Sequence, residues 1–504
     1  MSTDPGSTTP LASDAVDTDE AIESVDVLVV GAGISGIDMA YRIQTMCPGV
    51  SYAVLEARES MGGTWDLFRY PGIRSDSDMY TLGFPFEPWT GEQSISDGAS
   101  ILAYVRDTAA KYGIDAHIRY SHRVVEASWS GRDARWTVTV ETPEGRRRLA
   151  ASWIHTATGY YSYDAPHRAD IPGLEDFAGD VAHPQFWPED LQVGGRRVVV
   201  IGSGATAVTL VPALVEQGAA VVTMLQRSPS YLLALPSRDE LARRLADRMG
   251  IERAYDLIRW KNILTALGLY QASRRTPRAV GRLLTSGAVR ATSGSGLGPE
   301  HFAPHYDPWD QRMCFVPDGD LFAALRSGRA TIVTDTIERV LPEGVRTSSG
   351  ALLEADVVVT ATGLAMQLFG GAALVVDGQP VNLPDRHLYR GLMIEGVPNL
   401  TTSVGYANAS WTLRADLAAR YACRLIAHVR SRGHASARPR PSGPMARRPV
   451  LPLTSGYVRR ALADLPSQGD RDPWMIRQNY VLDRRALRRA DVTRDMVFDA
   501  VGGS

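Results

Sequence analysis

Cysteine pairs, long apolar runs and basic stripes are all missing from this sequence, and each absence removes a class of function. The three cysteines, Cys47, Cys314 and Cys423, lie far apart and form no CxxC, so neither a disulfide framework nor a dithiol redox pair is expected. That usage fits a reducing, cytoplasmic compartment. No stretch of about 18 consecutive apolar residues occurs, and no basic segment leads into an apolar run near the N-terminus. Neither a transmembrane segment nor secretion is expected. The formal net charge is −2, with both signs spread along the chain, which leaves no surface suited to nucleic acid. No Ser-His-Asp or Cys-His arrangement stands out. His301 and His305 have the spacing of a helical metal pair, but Pro304 lies between them and no third ligand is in reach, so no metal is expected.

What is present is a doubled nucleotide-binding fingerprint. The 504 residues suffice for about three domains. Val25-Asp-Val-Leu-Val-Val30 runs into Gly31-Ala-Gly33-Ile-Ser-Gly36, and Glu56 closes the following strand Tyr52-Ala-Val-Leu-Glu56. Arg197-Val-Val-Val-Ile201 runs into Gly202-Ser203-Gly204-Ala205-Thr206-Ala207, followed by Val208, and the next strand ends on Gln226 and Arg227. In each copy the first glycine permits a tight turn, the second lets backbone N–H groups approach a pyrophosphate, and the third small residue lets helix and strand pack closely. The helix N-terminus then favours the negative charge. A carboxylate such as Glu56 suits an unmodified ribose diol, as in FAD or NAD, whereas Arg227 suits the 2′-phosphate of NADP.

The expected fold is α/β, with two Rossmann-like dinucleotide-binding domains and a helical insertion in the second. Residues 1–24 read as a disordered tail rich in Ser, Thr and Asp. The first domain is expected over 25–160 and 381–504, the second over 161–229 and 313–380, and the insertion over 230–312, where the periodicity turns helical. An internal echo, Ala-Thr-Gly after an apolar strand, recurs at Ala157–Gly159 and Ala361–Gly363. Residues 431–449, rich in Pro and Arg, read as a surface linker before a helical tail containing Trp474 and Tyr480.

Two longer signatures flank the space between the nucleotide units. One is Gly62-Gly-Thr64-Trp65-Asp66-Leu67-Phe-Arg-Tyr70-Pro71-Gly72-Ile-Arg74-Ser75-Asp76, the other Phe177-Ala-Gly179-Asp-Val-Ala-His183-Pro-Gln-Phe-Trp187-Pro188. With the double fingerprint, they resemble the type I Baeyer–Villiger monooxygenases, class B flavoproteins that insert one atom of O2 beside a ketone carbonyl. The resemblance runs from Val25 almost to the C-terminus and is nearest to the ethionamide-activating branch. The Trp187-Pro188 ending separates the chain from related N- and S-monooxygenases, whose motif ends on an aromatic residue and a lysine.

The resemblance implies FAD in the first domain, lined by Ser35, Glu56, Thr64, Trp65, Asp66, Leu67, Asp76 and Val124. It implies NADPH in the second, met by Arg74, Ser75, the turn from Gly202 to Val208, Gln226 and Arg227. It also implies a catalytic Arg312, in Tyr306-Asp-Pro-Trp-Asp-Gln-Arg312, with Asp76 as its carboxylate neighbour; nothing local distinguishes this arginine from the others. The residue type suits the chemistry. A C4a-peroxyflavin must remain anionic to attack a carbonyl, and a guanidinium stabilises it without giving up a proton. Gln311 stands where many members carry lysine, which leaves Arg227 more of the NADPH selectivity. Ketone and O2 are the implied substrates, with oxidation of thioethers or thioamides as an implied side activity. The nearest rival is a flavin-dependent S- or N-oxygenase, which shares every cofactor motif; a non-catalytic NADPH-binding protein would share the Rossmann turns alone.

Overall fold

The computed structural model describes residues 22–500. Each fingerprint forms the strand–turn–helix unit expected of it. The strand Glu23–Val30 feeds the helix Ile34–Met46, and Arg197–Ile201 feeds Ala205–Glu216. Both strands lie inside parallel ladders covered on two faces, which explains their unbroken apolar runs: Val27, Leu28 and Val29 have no exposed surface, and Val198 to Val200 almost none.

The first sheet places Glu23–Val30 between Tyr52–Leu55 and Gly145–Thr156, both parallel to it. An antiparallel meander, Arg123–Ser130, Arg135–Thr142 and Gly145–Thr156, extends it. The second sheet is wholly parallel and has five strands, in the order Ala330–Thr334, Val221–Gln226, Arg197–Ile201, Val357–Thr360, Asp180–Ala182. The two units are built alike, with a helix packed behind each first strand.

The boundaries differ from the expectation in four places. Regular structure begins at Glu23, two residues early; of the expected tail, residues 1–21 lie outside the described residues. Ala373–Val376 and Gln379–Pro380, assigned by position to the second domain, instead join the edge of the first sheet, where Ala373 to Val376 pair with Glu126 to Trp129. The insertion is α-helical over Glu240–Met249, Ile251–Arg275 and Pro277–Ala291, with a short 3-10 turn at Pro299–His301, and is framed by a two-stranded parallel ribbon, Leu232–Leu235 with Cys314–Pro317. The expected linker is structured: His434–Pro439 pairs with Met496–Ala500, and Arg448–Pro449 with Ser467–Gln468. Proline tolerates such edge strands, and composition alone does not reveal them.

The insertion is not a free appendage. Tyr255 donates to the Phe84 carbonyl at 2.9 Å, and buried Arg259 donates through Nη1 to the carbonyls of Tyr80 (2.6 Å) and Gly83 (2.8 Å). These bonds fix the long helix Ile251–Arg275 against the first domain. A cleft results between the first domain and the insertion, closed at the insertion's root by Met313 and Phe315.

Candidate active site

Glycine accounts for how closely the signatures approach the fingerprints. A Cβ on Gly36 would lie 1.9 Å from the Gly31 carbonyl oxygen, and one on Gly202 would lie 2.4 Å from that of Ala361. Gly72, at φ +76°, presses on the second fingerprint's helix, where a Cβ would meet Ala213 at 2.8 Å and the Thr209 carbonyl at 3.0 Å. Gly63 sits against Gly33 in the same manner, its Cβ position 3.1 Å from the Gly33 Cα. The first signature is therefore wedged between the two nucleotide turns.

At the first turn, Glu56 is buried and accepts from the backbone N–H of Ala32 (2.8 Å) and Arg58 (3.0 Å). Burial pushes its carboxyl pKa up, against the pull of those two bonds. Glu56 lines a cavity with Gly31, Gly33, Arg58, Val124 and Tyr163. Each carboxylate oxygen keeps a lone pair for a further donor, so the site fits a ribose diol. Ser35 accepts from the Trp411 indole at 2.8 Å, and Thr64 pairs with the Tyr161 hydroxyl at 2.6 Å. Trp65 packs against the insertion's aromatic contacts, and Leu67 is half-buried. Asp66 is buried and holds Arg58 (2.7 Å), Arg106 (3.2 Å) and the Ser60 hydroxyl (2.5 Å).

At the second turn, Gly204 and Ala205 are exposed, and no atom lies within 4 Å of a Cβ built on Gly204. Ser203 donates to the Ser228 carbonyl at 2.8 Å, while Ala207 and Val208 are buried under the turn. Burial pushes the Tyr70 phenol up to about 12. Arg227 is exposed at the end of Val221–Gln226 and has no carboxylate partner among the described residues. Three implied contacts are already engaged within the protein. Gln226 is buried and donates to the His301 carbonyl (2.9 Å) and Thr334 (2.8 Å). Arg74 is paired with Asp320, and buried Ser75 donates to the Ser77 carbonyl.

Arg312 and Asp76, 236 positions apart, meet at 3.0 Å between Nη1 and Oδ2. Two straps bring them together. Ser75 N–H bonds to Ser96 and Met79 N–H to Ser94, while Ser94 N–H reaches Ser237, tying the Asp76 loop to the insertion's root. On the other side, the loop before Cys314–Pro317 holds Trp309 at φ +72°, and Asp310 is anchored by Arg274 (2.6 Å) and the Thr454 N–H (2.7 Å). Burial opposes the guanidinium charge of Arg312. The Asp76 carboxylate outweighs it, so the pKa rises and the side chain stays cationic at every working pH. Cys314 is driven up to about 12, chiefly by burial, so it is no thiolate nucleophile.

The pair lies at the wall of a cavity of about 500 Å³ whose other surfaces include Leu235, Leu267, Phe315 and Leu413. Tyr160, Tyr457 and Lys261, the last paired with Asp239, also belong to this neighbourhood and were not singled out from sequence. Only the positive φ of Trp309 marks the strap as unusual, and sequence does not display it. Among the described residues, no three His, Cys, Asp or Glu side chains cluster as for a metal, and no helix is long and apolar enough to cross a membrane.

Two strand–glycine turn–helix units, with the Arg312 cleft as a separate cavity, define a two-domain dinucleotide-binding protein. Residues 28–242 match the pyridine nucleotide-disulphide oxidoreductase family. The FAD-containing monooxygenase EthA of Mycobacterium tuberculosis is 50% identical over 471 residues, covering 93% of this chain and 96% of its own. The chain belongs to the FAD-containing monooxygenases. Its fold is shared with cyclohexanone monooxygenase (TM-score 0.75, 20% identity, 95% of this chain and 100% of the other) and with an oxidized steroid monooxygenase bound to NADP (TM-score 0.73, 21% identity, 95% and 100%).

Proposed function

We propose that the protein is an NADPH- and O2-dependent Baeyer–Villiger monooxygenase that converts ketones to esters or lactones. The observation that carries this reading is the Arg312–Asp76 pair at the wall of a largely apolar cavity. FAD is held by Gly31, Gly33, Ser35, Gly36, Glu56 and Val124, with Thr64 to Leu67 and Asp76 along the first signature. Glu56 takes the ribose diol. NADPH takes the turn from Gly202 to Val208, and Arg227, exposed and without a carboxylate, takes its 2′-phosphate. Arg74, Ser75 and Gln226 also meet NADPH, held in register by the bonds they already make.

When bound and reduced by NADPH, FAD supplies the activation of O2. Arg312 presents permanent positive charge to the carbonyl oxygen, which becomes an oxyanion when its carbon is attacked. Such donors contribute about 3 to 4 kcal/mol in a water-poor site. A guanidinium suits this because it stabilises the oxyanion without protonating the attacking group. Asp76 fixes Nη1 and leaves the remaining N–H groups to the substrate. The apolar walls exclude water and admit a hydrocarbon skeleton.

The test supplies NADPH and O2 together with a cyclic ketone and a thioether in separate reactions, and weighs the products. Lactone formation coupled to NADPH oxidation is expected. Sulfoxide without any lactone would place the protein among the heteroatom oxygenases instead.

A further inference from the structure

A second cavity, of about 390 Å³, lies where the insertion helix Ile251–Arg275, the helix Trp411–Arg432 and the C-terminal helix Tyr480–Arg488 converge. Five arginines line it, Arg259, Arg420, Arg424, Arg484 and Arg488, against two carboxylates, Asp256 and Asp416. Three of the five are committed. Arg259, 4% exposed, donates to the Tyr80 and Gly83 carbonyls. Arg420 holds Asp416 at 2.9 Å, a carboxylate already shared with Arg42 at 2.6 Å. Arg424 caps the C-terminal helix through the carbonyls of Leu487 (2.6 Å) and Arg488 (3.1 Å).

Arg484 and Arg488 remain. Neither has a carboxylate partner among the described residues, and they stand four positions apart on one helix, where like charges oppose each other. Arg484 lies over the Trp260 ring at 5.0 Å, which orients the guanidinium but does not neutralise it. Asp256 is the one lining carboxylate without an ion pair among the described residues, so the wall keeps an excess of positive charge, with Arg484 half-buried and Arg488 exposed.

The cavity also adjoins the proposed ketone site. Ile263 and Tyr480 line both, so these two side chains form the partition between them. One cation, Arg312, is paired with Asp76 in a largely apolar cavity; beyond the partition stand two unpaired arginines against a single unpaired carboxylate, Asp256. A carboxylate is drawn to the unpaired arginines, and an uncharged carbonyl is left to Arg312.

We infer that the substrates are ketones carrying a carboxylate on the end remote from the carbonyl, and that Arg484 and Arg488 form the carboxylate subsite. The alkyl chain crosses the partition, whose Ile263 and Tyr480 side chains part to admit it. This rests on the ketone reading above, so its test has one arm that needs no turnover.

In that arm, dodecanoate and dodecanol are titrated calorimetrically into the flavin-loaded protein. Dodecanoate is expected to bind, and at least about tenfold more weakly to the Arg484→Gln/Arg488→Gln variant, two charged hydrogen bonds being lost; dodecanol is expected to be indifferent to the change. In the second arm, kcat/KM is compared for a long-chain keto acid and its methyl ester. The wild type is expected to favour the acid by about tenfold or more. The preference should vanish in the glutamine pair and persist in Arg484→Lys/Arg488→Lys. Dodecanoate binding unaffected by the glutamine pair overturns the subsite. Arginine-dependent binding without any acid-over-ester preference means that a free carboxylate occupies the cavity, and overturns the substrate class. Arginine-dependent binding with no turnover of either ketone overturns the ketone reading and, with it, the assignment of the carboxylate to a substrate.

Discussion

The two charges that close the second strands, Glu56 and Arg227, are treated differently by their surroundings. Glu56 is buried and braced by two backbone N–H groups, whereas Arg227 is exposed and unbraced. A braced carboxylate recognises by geometry; an unbraced guanidinium waits for its anion. Arg227→Ala is expected to weaken NADPH by roughly 1.5 to 3 kcal/mol, the usual worth of a charged hydrogen bond, and to narrow the preference over NADH. The ratio of kcat/KM for the two nucleotides measures it, and an unchanged ratio contradicts the 2′-phosphate role. A second residue sets an acid limit. His155, fully buried in the strand Gly145–Thr156 beside Thr401 and Ser403, has its pKa pushed from 6.5 down to about 3 by burial. Between those values the unfolded chain binds a proton that the folded chain does not, so stability falls as the pH drops through that window, by about 1.4 kcal/mol per unit. In His155→Gln the midpoint of thermal unfolding should fall less steeply from pH 6.5 toward 4 than in the wild type; an equal slope would show that His155 is not the titrating group.

Among the elements, the turns were the most legible. Strand, glycine turn and helix follow from apolar runs and small residues at fixed spacing, and both units fold as that pattern requires. Gly36→Ala should strip flavin, because its Cβ would stand 1.9 Å from a backbone oxygen that cannot yield without moving the turn. Gly268→Ala, in the middle of the helix Ile251–Arg275 with open space around its Cβ, should retain flavin and gain roughly 0.5 to 1 kcal/mol. Flavin absorbance per protein, read beside the unfolding midpoint, distinguishes the two; equal flavin content would contradict the steric argument. The edge strands were not legible. Ala373–Val376 joins a sheet whose partner strand lies about 250 residues earlier, and His434–Pro439 carries the proline and arginine of a linker. Pairing of this kind is decided by tertiary contacts and leaves no local period.

At the scale of the whole molecule, function arises from contacts between distant segments. Asp76 and Arg312 meet only because the first signature is wedged between two nucleotide turns while the insertion's root ties the opposing strap. Sequence patterns suggested both residues only through resemblance, since an arginine in a loop has no distinguishing period. The cluster around them, Tyr160, Tyr457 and Cys314, comes from three separate parts of the chain and could not be read in advance. The unpaired arginines of the C-terminal helix were equally hidden, because an arginine's lack of a partner is a property of the folded molecule. The most direct test of the account follows isotopically labelled O2 into product from a cyclic ketone, with the wild type beside Arg312→Ala. The wild type is expected to give a lactone bearing one labelled oxygen. The variant should still let NADPH reduce the flavin, yet form lactone about 10²- to 10³-fold more slowly. Lactone formed by the variant at the wild-type rate would contradict the central role given to Arg312.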